Sequence, residues 1–222
     1  PCEKMDGASL QELIVNEGVT FSGGVPTIWT MYLAYLEQTN QKPGNLKRLV
    51  IGGSAVPRAM AETFKRKYGV RVLQIWGMTE TAPLGVISTP TPSLAALGEE
   101  KLDEAIWTRQ GRLQFGIELK VVDESGADAP RDGETSGALM VRGPWTVQRY
   151  YRGAKDVTDA DGWFDTGDIA TIDQHGFMRI TDRKKDVIKS GGEWISSIDL
   201  ENIAVGCPGV KIAAVVGIPH PK

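Results

Sequence analysis

The sequence predicts an α/β fold in three parts: a parallel-sheet α/β subdomain at residues 1–104, a β-barrel-like subdomain at 105–182, and the start of a small α+β domain at 183–222. Helix and strand signals alternate over the first ninety residues, which is typical of βαβ units on a parallel sheet. Short alternating segments separated by turn residues follow from Gly111. Helix and strand signals return after Asp182, and this return predicts a new domain.

The elements of the α/β subdomain follow from caps and hydrophobic spacing. Ser9 and Glu12 have capping-box spacing and predict the start of a helix, whose end is predicted at Gly18. Residues 90–106 are interpreted as a connection. The other predicted elements are strands at 19–21, at 46–51 and running into Trp76, and helices beginning at Pro26 and Pro57.

The second part is predicted from strand-length segments and turn chemistry. Its predicted strands lie at 117–121, 138–141, 169–172 and 177–180, and the last two flank Asp173-Gln174-His175-Gly176 as a hairpin. Beyond Asp182, Ser196 and Asp199 have capping-box spacing ahead of a helix, and residues 212–216 are predicted to form a strand.

Composition disfavours several classes of function. The chain has 25 basic and 28 acidic residues, a net charge of −3 and no long run of one sign, so nucleic acid is not an expected partner. Cys2 and Cys207 lack the spacing of a zinc site or a disulfide framework, and they fit a reducing cytosol. His175 and His220 are the only histidines, so the sequence offers few residues for a Ser-His-Asp or multi-His metal mechanism. No secretory signal and no apolar run near the roughly 20 residues of a membrane span occur, so a soluble, cytoplasmic protein is expected.

Two strand-end motifs are candidate ligand sites, because parallel sheets bind ligands beyond the carboxyl ends of their strands. In Gly52-Gly53-Ser54-Ala55, paired glycines allow close backbone approach to a flat ligand and small residues leave room for a purine. The alternative is a plain strand-to-helix turn. In the second motif, "WGMTE" at 76–80, Trp76 could stack on a base while Thr79 and Glu80 supply oxygen ligands for Mg²⁺. The alternative is a core aromatic followed by a helix that Thr79 caps.

Two further stretches carry candidate polar ligands. Asp168 follows a glycine turn and could accept hydrogen bonds from vicinal ribose hydroxyls, although the Asp-Gly pair at 161–162 also fits an ordinary turn leading into a hairpin. In the charged stretch 182–194, Arg183 could bind phosphate or ribose and Lys185 could act as a hinge. The alternative for this stretch is a solvated domain junction with a Gly-Gly turn.

The motifs "GGSAVP", "IWGMTET", "SGALMVRGP", "DGWFDTGDIATID" and "ITDRKKDVIKSGGEWISSIDLEN" occur in this order. Together they resemble the adenylate-forming acyl-CoA synthetase superfamily, which includes the luciferases and the adenylation domains of peptide synthetases. Within it, "SGGEWISSIDLEN" and "GPWTVQRYY" are similar to bacterial medium- and long-chain fatty acyl-CoA ligases and to the methylmercaptopropionate-CoA ligases of marine bacteria. The resemblance implies that 1–182 is the late part of the large domain and 183–222 is the hinge and the beginning of a mobile C-terminal domain.

The resemblance implies ATP-dependent adenylation of a small carboxylic acid, with release of pyrophosphate, followed by transfer of the acyl group to coenzyme A. ATP, Mg²⁺ and coenzyme A are the implied cofactors and substrates, and a homodimer is a possible assembly. A carboxylate is already ionised at pH 7, so alignment and charge neutralisation matter more than a general base.

The resemblance also implies roles for individual residues. Those that would contact the nucleotide are Gly53, Ser54 and Ala55 at the adenine, Gln74, Trp76, Gly77 and Met78, and Asp168 at the ribose with Arg183 beside it. Trp76 stands where the family more often has tyrosine. Those with implied catalytic or conformational roles are Thr79 at phosphate, Glu80 at Mg²⁺, Lys185 at the hinge, and Lys189, Gly191, Gly192 and Trp194 in the loop for thioester formation. The implied walls of the acyl pocket are Val25, Pro26, Thr27, Gly52, Gly77, Met78 and Pro83.

Two departures from the family pattern define the rival hypotheses. The family's phosphate loop would lie upstream, since "TFSGGVPT" at 20–27 is misplaced and lacks its lysine, and the family's C-terminal lysine would follow Lys222. The chain is therefore expected to be an internal-to-late fragment with little adenylation activity alone, which robust ATP–pyrophosphate exchange would contradict. The alternatives are a non-catalytic nucleotide- or CoA-binding module and a ligase for a short acid such as methylmercaptopropionate. An NAD-linked oxidoreductase is disfavoured, because no GxGxxG follows a strand.

Overall fold

The computed structural model describes residues 4–190, 193–210 and 212–218, with the side chains of 189, 190, 193 and 194 outside the description. The chain divides into two compact units, residues 1–76 with 88–108 and residues 77–87 with 109–222. The domain boundaries at 104 and 182 stay predictions. No helix in the described ranges has both the length and the apolar composition that crossing a bilayer requires.

The first unit is an α/β layer built on three parallel strands. Its strands β1 (Phe21–Gly24), β2 (Arg48–Ile51) and β3 (Arg71–Gly77) pair in that order and in parallel. Phe21 lies opposite Arg48, and Ile51 lies opposite Gln74. The elements of this unit are α1 (Gly7–Asn16), β1 (Phe21–Gly24), α2 (Pro26–Thr39), β2 (Arg48–Ile51), α3 (Arg58–Tyr68), β3 (Arg71–Gly77), α4 (Pro92–Ala95) and α5 (Glu99–Thr108). The α/β fold class predicted from the alternation of signals is confirmed.

The apolar faces of α2 and α3 form much of the core of this unit. The buried residues of these helices recur at helical spacing and are Pro26, Trp29, Tyr32, Leu33 and Leu36 in α2 and Met60, Ala61 and Phe64 in α3. The Tyr32 hydroxyl donates to Oε1 of Gln11 at 2.6 Å, and burial raises the pKa of the Tyr32 phenol. Its polar end is therefore paired inside an otherwise apolar layer.

The first helix begins three residues earlier than the capping-box spacing predicted. Its N-cap is Asp6, whose Oδ1 accepts the backbone N–H of Ser9 at 2.8 Å, so Ser9 lies inside the helix. This hydrogen bond lowers the pKa of the Asp6 carboxyl. An ionised carboxylate at Ncap accepts more strongly than a hydroxyl and also favours the positive end of the helix, which is why Asp6 takes the cap. Gly18, two residues beyond the helix, has a φ of 60° and ends it as predicted.

The interpretation of residues 90–106 as a connection is wrong, because helices α4 and α5 occupy most of it. Ala105, Ile106 and Trp107 of α5 are buried. Lys65 of α3 pairs with Glu99 at 2.8 Å and with Asp103 at 2.5 Å, which attaches the acidic face of α5 to α3. Helix α5 is therefore stabilised by tertiary packing, which its local sequence does not indicate.

The second unit is built mainly from antiparallel strands. Its elements are a 3₁₀ helix (Thr79–Thr81), β4 (Leu84–Ile87), β5 (Arg112–Leu113), β6 (Glu118–Val122), β7 (Gly137–Arg142), β8 (Phe164–Ile172), β9 (Met178–Arg183), β10 (Ile188–Ser190), β11 (Glu193–Ile195) and α6 (Ser197–Val205). Strands β6 to β9 pair sequentially in one sheet, while β4 pairs with β5 and β10 with β11. Register shifts in β7–β8 and β8–β9 mark bulges, which bend a sheet.

The predicted hairpin at Asp173–Gly176 connects β8 to β9. Oδ1 of Asp173 accepts the backbone N–H groups of His175 at 2.8 Å and Phe177 at 2.9 Å, and Gly176 has a φ of 78°. Arg109 Nε lies 3.2 Å from the other carboxylate oxygen of Asp173. The side chain of Asp173 therefore supplies the turn with hydrogen bonds that the backbone alone does not make.

Helix α6 is anchored to the end of β9 by a buried carboxylate. Asp182 is 3% exposed, and its carboxylate accepts from the backbone N–H and the hydroxyl of Ser197, both at 3.1 Å. Ser196 caps the helix by accepting the N–H of Asp199 at 3.1 Å, which confirms the predicted N-cap. The side chain of Asp199 does not complete a capping box, since it pairs with Arg179 at 2.5 Å instead.

The strand predicted at 212–216 is wrong. Residues 212–218 contain neither strand nor helix, and Ile212, Val216 and Ile218 are exposed. The segment alternates exposed and half-buried positions, but among the described residues it pairs with no strand. The Val215 N–H donates to Oε1 of Glu201 at 3.0 Å instead of to a neighbouring strand, so the apolar run alone does not produce a sheet.

Two phenylalanines of the second unit provide a matched test of this packing. Phe177 is 1% exposed and Phe115 is 97% exposed. Phe177→Ala is expected to destabilise the β8–β9 region by about 3–5 kcal/mol, because it leaves a cavity, whereas Phe115→Ala should change it by less than about 0.5 kcal/mol. Hydrogen exchange of the β8 and β9 amides measures both effects. Equal protection in the two variants would contradict the assigned core.

Candidate functional site

In the first unit, the carboxyl ends of β2 and β3 lie side by side. Because Ile51 is opposite Gln74, the residues that follow β2 lie beside the end of β3. A Cβ on Gly52 would lie 2.6 Å from the carbonyl oxygen of Ile75, so only glycine fits there, and Gly53 has a φ of 88°. Gly53, Ser54 and Ala55 are exposed. The loop is thus an open shelf of small residues at the edge of the sheet.

Gln74 and Trp76 are both buried in β3. Gln74 Nε2 donates to the carbonyl oxygens of Ile106 at 3.1 Å and Trp107 at 2.6 Å, near the C-terminal end of α5. Its amide therefore ties β3 to α5, which sequence reasoning did not anticipate. Trp76 is 9% exposed at the end of the strand. The nucleotide contacts assigned to both residues stay predictions.

In the second unit, residues 77–83 form a tight turn that begins at Gly77. A Cβ on Gly77 would overlap the carbonyl oxygen of Pro83, so the turn requires glycine there. The Thr81 hydroxyl, fully buried, accepts from the Met78 N–H at 3.0 Å and donates to the Pro83 carbonyl at 2.7 Å. The Thr81 hydroxyl thus satisfies two backbone hydrogen-bonding groups inside this turn. The sequence analysis gave Thr81 no role.

Glu80 is partly exposed within the 3₁₀ helix, and Thr79 beside it is exposed. The Tyr150 hydroxyl donates to Oε1 of Glu80 at 2.7 Å, and the Val147 N–H donates to the Glu80 carbonyl oxygen at 2.7 Å. The hydrogen bond to Glu80 raises the pKa of the Tyr150 phenol, with further contributions from burial and from the negative charge of Glu80. Sequence reasoning missed Tyr150, because its partner lies 70 residues away.

Asp168 and Arg183 lie opposite each other on β8 and β9. Arg183 Nε is 2.9 Å from Oδ1 of Asp168, whose side chain is 3% exposed, whereas the Arg183 side chain is 56% exposed. The Thr166 hydroxyl accepts the Asp168 N–H at 3.1 Å and donates to the Leu139 carbonyl at 3.0 Å. Arg183 is therefore beside Asp168, as expected. The ribose contact stays a prediction.

The remaining predicted residues lie after β9. Lys185 is exposed in the turn between β9 and β10, and the backbones of Lys189 and Trp194 pair across the β10–β11 hairpin. The side chains of Lys189 and Trp194, and the whole of Gly191 and Gly192, lie outside the described residues. Their roles stay predictions.

The predicted site residues divide between the two units. Those in the first unit are Gly53, Ser54, Ala55, Gln74 and Trp76, and those in the second are Gly77, Met78, Thr79, Glu80, Asp168, Arg183 and Lys185. Within the described part of the chain, no group of three or more His, Cys, Asp or Glu side chains forms a metal-binding cluster.

Comparison with known proteins matches residues 2–151 to the family of AMP-binding enzymes. Over its whole length the chain is 49% identical to 3-methylmercaptopropionyl-CoA ligase of Ruegeria lacuscaerulensis and 46% identical to medium-chain-fatty-acid–CoA ligase of Ectopseudomonas oleovorans, covering 41% and 40% of those proteins. It thus spans about two fifths of the curated relatives it matches.

A solved structure has the same fold. o-Succinylbenzoate coenzyme A synthetase from Bacillus subtilis, in complex with ATP and magnesium ion, matches 97% of this chain and 42% of its own with a TM-score of 0.77 and 28% identity. The family model covers more than half of the chain, and the ordered motifs agree with it. The chain therefore belongs to the AMP-binding enzymes, within the adenylate-forming acyl-CoA synthetase superfamily.

Proposed function

We propose that the protein containing this chain is an AMP-forming acid–CoA ligase. In the first step a carboxylate oxygen of the acid attacks the α-phosphorus of ATP, and the bond from that phosphorus to the pyrophosphate oxygen breaks. In the second step the thiol sulfur of coenzyme A attacks the acyl carbon, the bond from that carbon to the AMP oxygen breaks, and the thiol proton is released. The products are acyl-CoA, AMP and pyrophosphate.

The observation that carries this proposal is the identity of 49% and 46%, over all 222 residues, to two relatives that are both named acid–CoA ligases. The chemistry agrees with the residues present. The attacking carboxylate needs no base at neutral pH, so a chain with only two histidines is not deficient for this reaction. Alignment and charge stabilisation supply the rate.

Nucleotide binding is assigned to residues at the ends of β2 and β3 and to residues on β8 and β9. In the first unit, the shelf at Gly53–Ala55 would line the adenine and Trp76 would stack on it. The exposure of the small residues and their position beside the end of β3 support this assignment. In the second unit, Asp168 would accept hydrogen bonds from the ribose hydroxyls, with Arg183 beside it. The ion pair of Asp168 with Arg183 fixes the orientation of that carboxylate.

Glu80 fits the requirements of Mg²⁺, and Thr79 would contact phosphate next to it. Mg²⁺ bound with ATP typically takes one or two protein carboxylates and completes its shell with phosphate oxygens and water. Glu80 is one partly exposed carboxylate, with Oε1 bonded to Tyr150. Bound there, the cation would neutralise phosphate charge during adenylation. The contribution of this chain is to hold one carboxylate at a fixed position.

The second half-reaction is assigned to the segment after β9. Lys185 would be the hinge for rotation of the C-terminal domain, and Lys189, Gly191, Gly192 and Trp194 would line the path of the pantetheine thiol. The support is the motif that these residues carry and the exposed turn that contains Lys185. Homodimerisation and a cytoplasmic location stay predictions from the sequence.

The ligase assignment is tested with the full product of the gene that encodes this chain. AMP release is measured with ATP, coenzyme A and acids from propionate to palmitate, with methylmercaptopropionate included. Aliphatic acids should support AMP release that depends on both ATP and coenzyme A. Nucleotide or coenzyme A binding without AMP release for any acid would instead favour the non-catalytic module.

The roles of Glu80 and Lys189 separate the two half-reactions. Glu80→Ala is expected to slow acyl-adenylate formation about 100-fold, because charge stabilisation at the phosphates is lost. Lys189→Ala should leave adenylate formation within about twofold and slow thioester formation at least about tenfold, through loss of positioning. Single-turnover measurement of acyl-AMP and of acyl-CoA distinguishes them. Glu134→Ala, in an exposed turn, is the control, and unchanged adenylate formation in Glu80→Ala would refute the Mg²⁺ role.

The ribose role of Asp168 is tested by pairing a variant with a modified nucleotide. The wild-type protein should bind ATP about 10–100-fold more tightly than 2′,3′-dideoxy-ATP, the range expected for hydrogen bonds to a charged group. Asp168→Asn should remove most of that preference. Asp165→Asn, on an exposed position of the same strand, should keep it. Calorimetric Kd values measure the preference, and an equal preference in wild type and Asp168→Asn would contradict the assignment.

A further inference from the structure

We propose that Tyr150 is a positioning residue for adenylation, which fixes the Glu80 carboxylate so that its second oxygen faces Mg²⁺. This inference rests on the proposed Mg²⁺ role of Glu80. It adds a residue outside the motif at 74–81 to the machinery, and it assigns a function to the segment from Trp145 to Tyr150.

The first step of the argument is the direct hydrogen bond. The Tyr150 hydroxyl lies 2.7 Å from Oε1 of Glu80, which is a normal O–H···O distance for a charge-assisted bond. A carboxylate with one oxygen held by a donor loses rotational freedom about its last torsion. The other oxygen is then presented in one direction, which is the geometry that a single protein ligand to a metal needs.

The second step is that the same segment also holds the backbone of the Glu80 turn. The Val147 N–H donates to the Glu80 carbonyl oxygen at 2.7 Å, and Trp145 Nε1 donates to the Leu84 carbonyl oxygen at 3.4 Å. Backbone and side chain of Glu80 are therefore bonded to residues three positions apart. A shift of the segment from Trp145 to Tyr150 would therefore move the backbone of Glu80 as well as its carboxylate.

The third step is that the loop following Tyr150 closes on itself. Arg149 pairs with Asp156 at 2.7 Å, and the Val157 N–H donates to the Gln148 carbonyl oxygen at 2.9 Å. The Gly153 N–H also donates to the Tyr150 carbonyl oxygen at 2.9 Å. Tyr150 is thus presented from a loop with its own internal bonds, although its side chain is largely at the surface.

The fourth step is electrostatic. The Tyr150 hydroxyl is a neutral hydrogen-bond donor. A neutral donor orients the carboxylate without cancelling its charge, whereas a lysine or arginine would cancel it.

Tyr150→Phe removes the hydroxyl and little else, and Tyr151→Phe makes the same change at a neighbouring side chain that is 88% exposed. Both are made in the full gene product, and Mg²⁺ is titrated calorimetrically into protein with α,β-methylene ATP, which cannot release pyrophosphate. Tyr150→Phe should weaken Mg²⁺ binding about tenfold, the lower end for loss of an outer-shell partner. Its affinity for the nucleotide without Mg²⁺ should be unchanged, as should Mg²⁺ binding in Tyr151→Phe.

Glu80→Gln is titrated in parallel and separates this inference from the proposed function. Loss of Mg²⁺ affinity in Glu80→Gln with none in Tyr150→Phe would overturn the positioning role and leave the ligase assignment intact. No loss in either variant would overturn both the positioning role and the Mg²⁺ role of Glu80. If Tyr150→Phe weakened the affinity for the nucleotide equally with and without Mg²⁺, the role of Tyr150 would be merely structural. That result would also overturn the proposal.

Discussion

The parallel register of β2 and β3 is the constraint on which the first unit's part of the candidate site depends. Because Ile51 is opposite Gln74, the backbone after β2 meets the last residues of β3, and the carbonyl of Ile75 leaves no room for a side chain at Gly52. A shift of one residue would turn every side chain of the strand to the opposite face. The glycine pair, the open shelf and the position of Trp76 are all consequences of one pairing.

The second unit solves a different problem, which is to hold a carboxylate near the surface without burying its charge. The turn at 77–83 is filled by the Thr81 hydroxyl, which leaves Glu80 on the outside of the turn. Tyr150 and Val147 then bond to that residue from a distant part of the sequence. Short-range hydrogen bonds thus shape the turn, and long-range hydrogen bonds restrict the rotation of the Glu80 carboxylate.

The sequence predicted the features that local physical chemistry determines. Proline at helix starts, glycine at helix ends and the Asp173–Gly176 turn each depend on a few neighbouring residues, and the structure has them. The failures have non-local causes. Helix α5 is stabilised by Lys65 and by the burial of Ile106, and the apolar segment 212–218 pairs with no described strand. The motif at 74–81 likewise indicated Glu80 but not Tyr150, since nothing in the spacing of one octapeptide reveals a donor 70 residues away.

The buried pairing of Asp182 with Ser197 spans the turn that carries Lys185. If the chain rotates about Lys185, these partners separate, and each buried polar group left without a partner costs about 1–3 kcal/mol. The arrangement seen here would then be a favoured resting state, and a ligand would have to bind the rotated form more tightly to populate it. The carboxylate of Asp182, next to Arg183 in the sequence, would in this way set how readily the segment that follows Lys185 changes its position.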